Sequence, residues 1–178
     1  VYDKLIEQGL TVHLNTHINE IRQQGSEVHL SDGDLLHPDM ILFATGVAPN
    51  NEIIQSAGIS MNEHGQIIVD NQLQTNLPDI FAIGDIIETT SVITHQPTPS
   101  MLSSAANRQG HLLADIVNGA PFTYRGYIGA GVAKIFNYTA SYVGLTEHQL
   151  KDAGITNYKT IFITPFDHAN FYPGATRL

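Results

Sequence analysis

A short apolar run that ends in glycine and aspartate constrains the fold of this chain more than any other stretch. The run 80–83 (Ile-Phe-Ala-Ile) follows a Pro-Asp turn and leads directly into Gly84 and Asp85. An unbroken apolar run bounded by turn residues predicts a buried β-strand. Open α/β sheets bind ligands beyond the carboxyl ends of their strands, where an aspartate offers two acceptor oxygens. The stretch 75–85 therefore predicts an α/β unit whose strand is followed either by a ligand site or by a simple turn.

The composition excludes several classes of protein. The 178 residues include 8 Lys and Arg against 17 Asp and Glu, and the net charge of -9 argues against nucleic-acid and anionic membrane partners. The absence of cysteine excludes a disulfide framework and a thiolate metal site. No apolar run approaches the ~18 residues of a membrane span, and no signal pattern opens the chain. We expect an acidic, soluble, cytoplasmic protein, and the Val1 start suggests a piece of a longer one.

The first fifty residues predict a helix, a small sheet and a buried strand. A helix is expected over 1–8 and a strand over 10–14. The run 40–44 is apolar throughout, which predicts a fully buried strand that opens into a tight loop at Gly46. Between them, alternating apolar and polar residues predict an antiparallel meander with strands at 18–23, 27–31 and 35–36.

The middle of the chain predicts one long helix. A short helix over 51–56 and a strand over 65–70 are expected before the 75–85 stretch. The longest helical pattern covers 100–118, has an apolar face and ends at a Gly-Ala-Pro sequence. We expect a domain boundary at that sequence.

The last third of the chain shows the order of predicted strands and helix that is typical of a layered α+β unit. Strands are predicted over 131–136 and 139–145, a capped helix over 146–152, and a further strand over 158–164. One helix cannot cover both faces of three strands. We therefore expect this unit to continue past Leu178 or to dock on another chain.

Several motifs resemble a known family of flavoproteins. The stretch 44–50 (ATGVAPN) and the stretch 75–85 together resemble the flavin-dependent pyridine nucleotide-disulfide oxidoreductases. Within that superfamily, 99–110 (PSMLSSAANRQG) and 168–175 (HANFYPGA) are most similar to coenzyme A-disulfide reductases, with NADH oxidases and peroxidases as close relatives. The resemblance covers essentially the whole chain.

The resemblance implies a fold class of α/β and α+β, made of incomplete nucleotide-binding domains and the start of a dimerisation domain. Residues 1–54 would form the end of an NAD(P)-binding domain, and residues 55–121 the second half of an FAD-binding domain. Residues 122–178 would begin a truncated C-terminal dimerisation domain. The implied parent protein is a homodimer that holds FAD and uses NAD(P)H.

The implied reaction passes electrons from NAD(P)H through FAD and a cysteine to coenzyme A disulfide. The redox cysteine and both Gly-rich fingerprints are absent from this chain, so we expect it to be inactive alone. An NADH oxidase or peroxidase that reduces oxygen or peroxide is the first alternative. A non-catalytic binding or interaction domain is the second. The choice between NADH and NADPH stays open.

The resemblance also assigns roles to individual residues. Asp85 would accept a hydrogen bond from the flavin ribitol, and Gly84 would leave room for the cofactor. The start of the long helix would face the pyrimidine end of the flavin, where its free N–H groups stabilise negative charge. Its expected contacts are Leu102, Ser103 and Ser104, and the cofactor site also includes Thr75, Ile83 and Gly46. A purely amphipathic core helix is the structural alternative.

Two residues are assigned to the substrate. Asn107 would make a polar contact to the coenzyme A moiety, and Tyr172 would reach the active site of the partner subunit. Many relatives carry two tyrosines where this chain has Phe171 and Tyr172. Arg108 is either solvated or paired with an acidic neighbour. The nine histidines show no metal-ligand spacing, so no metal is predicted, and only His168 is kept as an active-site neighbour.

Overall fold

The computed structural model describes residues 1–177, so Leu178, the last residue of the predicted dimerisation segment, lies outside the described residues. The chain divides into two units. The first comprises Val1–Ala48 with Ile135–Asn137, and the second begins at Pro49 and contains the remaining residues. The fold mixes helix and sheet, as the sequence predicts. No helix within residues 1–177 is long and apolar enough to cross a membrane.

The first unit contains the predicted helix and meander. Helix α1 spans Tyr2–Glu7. Strands β1 (Ile18–Arg22), β2 (Glu27–Leu30) and β3 (Leu35–Leu36) form an antiparallel sheet in the order β1-β2-β3. Val28 and Leu30 alternate with polar residues along β2, and both are buried. This period of two residues is what directs one face of β2 inward, and it confirms the predicted meander.

Two predicted strands of the first unit are absent from the structure. Residues 10–14 and 40–44 form no strand. Met40 and Leu42 are 84% and 86% exposed, so the prediction of a fully buried strand over 40–44 is wrong for this chain. A strand buried on both faces needs neighbours that pair with its backbone. No part of residues 1–177 pairs with this run.

The second unit is built around a small apolar core of Ile67, Leu73 and Ile87. Ile67 and Ile87 are joined by a parallel bridge. Strands β4 (Glu88–Thr90) and β5 (Pro97–Pro99) form an antiparallel pair that continues from this core. Helix α2 spans Ser103–Val117, and its Leu112 and Leu113 pack against the core. This helix confirms the prediction over 100–118, although it begins three residues later.

Other predicted elements of the second unit are shorter than expected. The helix predicted over 51–56 is a 3-10 turn at Glu52–Ile54, and Asn51 donates to the Gly65 carbonyl (2.9 Å) instead of capping it. The strands predicted over 65–70 and 80–83 are reduced to isolated bridges. Each run pairs at single residues only, as in the antiparallel bridge between Phe81 and Gln74. Without a continuous neighbour, an extended run does not become a strand.

The C-terminal part of the chain confirms the predicted pair of strands and the capped helix. Strands β6 (Ala130–Ile135) and β7 (Tyr138–Val143) form a two-stranded sheet. Helix α3 (Glu147–Asp152) begins with a capping box between Thr146 and Gln149. The strand predicted over 158–164 is wrong, because this run forms no strand and Phe162 is 92% exposed.

Candidate functional site

The Gly84-Asp85 sequence forms a tight turn at the end of an extended segment. Ile83 is extended (φ -145°, ψ 167°), and a single 3-10 turn follows at Gly84–Ile86. Gly84 has a φ of +85°, in the left-handed region that favours glycine. The backbone conformation is therefore one reason for a glycine at this position.

The Asp85 side chain is accessible to solvent. Asp85 is exposed, and no described residue gives it a hydrogen bond or ion pair. Its two oxygens are therefore available to hydroxyl or N–H donors of a ligand. The contact of Asp85 with a cofactor stays a prediction.

Helix α2 packs against this turn close to its own N-terminus. A Cβ atom built on Gly84 would lie 3.9 Å from Ala106 Cβ, and Ala106 is in the first turn of α2. The structure therefore brings together two predicted parts of the site, the Gly84-Asp85 turn and the start of the long helix. The sequence places them almost twenty residues apart.

The start of α2 has unpaired polar groups. Leu102 occupies the N-cap position and supplies no side-chain cap, while Ser103 and Ser104 are exposed. Ser100, just before the helix, is 1% exposed, and its Oγ has no hydrogen-bond partner among the described residues. Free N–H groups at a helix start carry partial positive charge. This end of α2 can therefore receive a carbonyl oxygen or an anionic group.

Two further residues of the predicted cofactor set have structural roles. Thr75 is buried, its N–H donates to the Ile80 carbonyl (2.8 Å), and its Oγ1 accepts from the Leu77 N–H (3.2 Å). Ile83 packs against the apolar core. Both residues shape the segment that carries Gly84, and their contact with a cofactor stays a prediction.

Gln109 is a residue of this site that the sequence analysis did not identify. Its side chain is fully buried on α2 and accepts a hydrogen bond from the Gly84 N–H (2.7 Å). Its amide nitrogen donates to the Tyr124 hydroxyl (3.1 Å). Helical spacing could have revealed it, since position 109 continues the apolar face formed by Ala105, Ala106, Leu112 and Leu113.

A groove of about 1110 Å³ runs along another side of α2. Asn107 lines it and is exposed, as is Arg108. Ser104, His111 and Asp115 line the same groove from the helix, and residues 121–130 form its other wall. The predicted substrate residue Asn107 is thus accessible in a groove that adjoins the start of α2. Its contact with coenzyme A stays a prediction.

The remaining predicted residues belong to other segments of the chain. Gly46 belongs to the first unit, is exposed and has a φ of +96°. Tyr172 belongs to an exposed loop closed by a bridge between Phe166 and Arg177. Among the described residues, no hydrogen bond joins this loop to α2 or to the Gly84–Ile86 turn.

The Asp167 carboxylate adds side-chain hydrogen bonds to the backbone bridge that closes the Tyr172 loop. Asp167 accepts hydrogen bonds from the Thr176 N–H (3.0 Å), the Thr176 hydroxyl (3.0 Å) and the His168 N–H (2.9 Å). These donors, the Thr176 N–H above all, hold the pKa of Asp167 below its ordinary value. The Tyr172 ring lies 4.8 Å from that of Phe171 and 6.4 Å from that of His168. The loop therefore presents an exposed cluster of three rings.

The first unit contains one cluster of potential metal ligands. Ligand atoms of His13, Asp32 and Asp34 lie within 4.8 Å of one another. Asp32 already accepts hydrogen bonds from the Asp34 N–H, Thr16 and His13, and these lower its pKa. The Asp32 carboxylate thus joins the turn between β2 and β3 to the segment that precedes β1.

Comparison with known proteins matches the chain to one family. Residues 1–110 match the model of the family described as pyridine nucleotide-disulphide oxidoreductase. The coenzyme A disulfide reductase of Staphylococcus aureus (strain Newman) is 34% identical over 181 aligned residues, which cover 100% of this chain and 40% of that protein.

Two solved structures share the fold. The reduced CoADR-RHD of Bacillus anthracis is 33% identical with a TM-score of 0.92, over 99% of this chain and 32% of the other. An NAD-dependent persulfide reductase from A. fulgidus is 30% identical with a TM-score of 0.88, over 98% of this chain and 32% of the other. The chain therefore spans well under half the length of the relatives that it matches.

Proposed function

The chain belongs to the pyridine nucleotide-disulphide oxidoreductase family, and from this premise we propose that it forms part of a flavoprotein that reduces a disulfide with NAD(P)H. Coenzyme A disulfide is the substrate we propose. This choice rests on the 34% identity, over the whole chain, to a coenzyme A disulfide reductase. It also agrees with the resemblance of the stretches 99–110 and 168–175 to coenzyme A-disulfide reductases.

One observation within the chain carries the proposal. The Gly84–Ile86 turn packs on the first turn of α2, so that the residue with the exposed carboxylate belongs to a turn that contacts a helix with an uncapped start. A flavin cofactor needs an acceptor for its ribityl hydroxyls and donors for its ring oxygens. Asp85 offers the acceptor, and the N–H groups of Ser103 and Ser104 offer the donors.

The residues present therefore fit FAD. Asp85 would hold the ribityl chain, and Ser103 and Ser104 would donate to the ring. The partial positive charge at the start of α2 favours extra electron density on that ring. The buried Ser100 hydroxyl, which has no hydrogen-bond partner among the described residues, lies three residues before Ser103 in the sequence. When bound, FAD supplies the hydride-accepting and electron-passing chemistry.

The substrate roles concern Asn107 and Tyr172. Asn107, exposed in the groove beside α2, would hold the coenzyme A moiety. The Tyr172 hydroxyl would act in the active site of a partner subunit. In the overall reaction, NAD(P)H and one proton convert one coenzyme A disulfide into NAD(P)⁺ and two thiols. This chain has no cysteine, so the thiol that attacks the disulfide must be supplied by another part of the protein.

The domain assignment is part of the same proposal. Residues 1–54 correspond to the end of the NAD(P)-binding domain and 55–121 to the second half of the FAD-binding domain. Residues 122–178 correspond to the start of the dimerisation domain. A homodimer is expected from the family resemblance, and a cytoplasmic location from the acidic composition.

The proposed function is tested on the full-length protein that carries this chain. The purified protein should show a bound-flavin absorbance spectrum and should oxidise NAD(P)H faster when coenzyme A disulfide is added. Asp85→Asn should lower the flavin content, because an amide replaces the charged acceptor. Ser31→Ala, in the unit that does not contain this turn, serves as the matched control and should keep the wild-type flavin content.

Two results would overturn parts of the proposal. A full-length protein without bound flavin, and unable to bind added FAD, would refute the flavoprotein assignment and favour a binding or interaction domain. Faster NAD(P)H oxidation with oxygen alone than with coenzyme A disulfide would refute the disulfide substrate and favour an oxidase.

A further inference from the structure

Gln109 joins three segments of the second unit through one side chain. It belongs to α2, its amide oxygen accepts from the Gly84 N–H, and its amide nitrogen donates to the Tyr124 hydroxyl. The side chain is fully buried, so water cannot replace either partner. A buried amide with both ends paired strongly favours one arrangement of the groups that it joins.

The direction of these hydrogen bonds is fixed by chemistry. A backbone N–H can only donate, so the amide oxygen must face Gly84, and the amide nitrogen then faces Tyr124. The Tyr124 hydroxyl can accept because it has free lone pairs. Tyr124 is in turn held by its own backbone N–H, which donates to the Asn71 carbonyl (2.7 Å), and by packing against the apolar core. The amide therefore has a fixed anchor on one side and the Gly84 turn on the other.

The Gly84 carbonyl accepts from the Ile87 N–H (3.4 Å), and the Ile67 N–H donates to the Ile86 carbonyl of the same turn (2.9 Å), but neither bond involves the Gly84 N–H. A glycine can adopt the φ of +85° found at Gly84, but it adopts other φ values about as readily. The conformational preference of glycine alone therefore does not hold the turn. No side chain caps the 3-10 turn at Gly84–Ile86. The 2.7 Å bond from Gln109 is the hydrogen bond that fixes the Gly84 amide. Asp85 is the next residue, so holding the Gly84 amide on α2 restricts where the Asp85 backbone, and with it the carboxylate, can lie.

We propose that Gln109 is a positioning residue for FAD: it locks the Gly84-Asp85 turn onto α2 so that the Asp85 carboxylate and the helix start meet the cofactor together. This inference rests on the proposed function, since it assumes that FAD binds there. Gln109 itself cannot touch a ligand, because its side chain is buried and both its ends are occupied.

Three variants of the full-length protein separate positioning from simple stability. Gln109→Met keeps the shape of the side chain and removes both hydrogen bonds. Tyr124→Phe removes only the bond on the far side and keeps the one to Gly84, so it is the matched control. Gln109→Glu keeps an acceptor oxygen for Gly84, and burial favours its protonated form, which can also donate to Tyr124.

The measurements are the dissociation constant of FAD, from flavin fluorescence titration of the FAD-free protein, and the thermal midpoint of that same FAD-free protein. Gln109→Met should weaken FAD binding about tenfold, the effect of losing one buried hydrogen bond. Tyr124→Phe should lower the thermal midpoint about as much as Gln109→Met does, but it should change the dissociation constant of FAD less than threefold. Gln109→Glu, measured at about pH 5.5, should bind FAD more tightly than Gln109→Met.

The outcomes distinguish this inference from the proposed function. If wild-type protein binds no FAD, the proposed function fails and this inference fails with it. If wild type binds FAD and Gln109→Met binds it equally well, only the inference is refuted. If Gln109→Met does not fold, the Gln109→Glu variant decides the question at about pH 5.5. A dissociation constant of FAD within threefold of that of Tyr124→Phe, which also keeps the hydrogen bond to Gly84, would support positioning. A dissociation constant weakened about tenfold, although the acceptor oxygen is kept, would refute it.

Discussion

Replacing Gly84 with alanine tests how much of the role of this glycine is conformational. Gly84 has a φ of +85°, which an alanine adopts only with strain. A Cβ atom at Gly84 would meet only Ala106 Cβ, at 3.9 Å, which is an ordinary van der Waals distance. The change in unfolding free energy caused by Gly84→Ala should therefore come from backbone strain, with almost no contribution from steric overlap within the chain.

The magnitude follows from two opposing terms. An L-residue in the left-handed region costs about 1–2 kcal/mol. The alanine also reduces the freedom of the unfolded chain, which offsets roughly 0.4–1 kcal/mol. The net loss should be about 1 kcal/mol of unfolding free energy.

Gly119 provides a matched control for this experiment. It follows α2, has a φ of +86°, and a Cβ there would have no atom within 4 Å. Gly119→Ala should therefore cost the same ~1 kcal/mol for the same backbone reason. Urea unfolding of both full-length variants without FAD measures the two losses side by side.

FAD binding then separates the two glycines. If the cofactor docks against Gly84, the added methyl group should weaken FAD binding roughly tenfold, a typical overpacking effect of ~1–3 kcal/mol, while Gly119→Ala should leave it unchanged. A Gly84→Ala protein as stable as wild type would refute the conformational argument. Equal FAD affinity of the two variants would refute close approach of a ligand at Gly84.

Three further predictions concern the C-terminal part of the chain. Thr146→Ala should destabilise the full-length protein by about 1 kcal/mol by removing the cap of α3, as measured by denaturant unfolding, and Thr146→Ser should not. The pKa of Asp167 is lowered in the folded loop, so the stabilisation that its carboxylate gives to the closed loop is present above the ordinary value of 3.8 and is lost as the pH falls through the lowered pKa. Hydrogen exchange of the Thr176 amide should therefore become faster in that pH range, and Asp167→Asn should remove this pH dependence. Tyr172→Phe should slow turnover with coenzyme A disulfide roughly tenfold, through loss of one hydroxyl hydrogen bond, and leave FAD content unchanged; unchanged turnover would contradict the substrate role.

Elements encoded by neighbouring residues could be predicted from the sequence. The capping box of α3 needs only Thr146 and Gln149, three residues apart. The turn between β2 and β3 needs only the Asp-Gly-Asp sequence at 32–34, where Asp32 accepts from the Asp34 N–H. In both cases the hydrogen-bonding partners lie within one turn of chain, so composition and spacing identify them.

Strands could not be predicted in the same way. The run 40–44 is apolar throughout, and the run 158–164 contains three consecutive apolar residues at 161–163, yet Leu42 and Phe162 are 86% and 92% exposed. An apolar pattern indicates that a run prefers burial. It does not identify the backbone partners that make the run a strand, because these can lie at any distance along the sequence. Among residues 1–177, neither run has such a partner.

Asp85 and Gln109 show why a site residue and its support are hard to separate in a sequence. Both are polar, and both lie within stretches that resemble the same family. Asp85 is exposed, and no described residue donates a hydrogen bond to its carboxylate, so it can bind a ligand. Gln109 is buried with both ends of its amide occupied, so it can only orient its neighbours. Burial and partner geometry make this distinction, and the helical spacing of Gln109 with an apolar face is the one sequence feature that anticipates it.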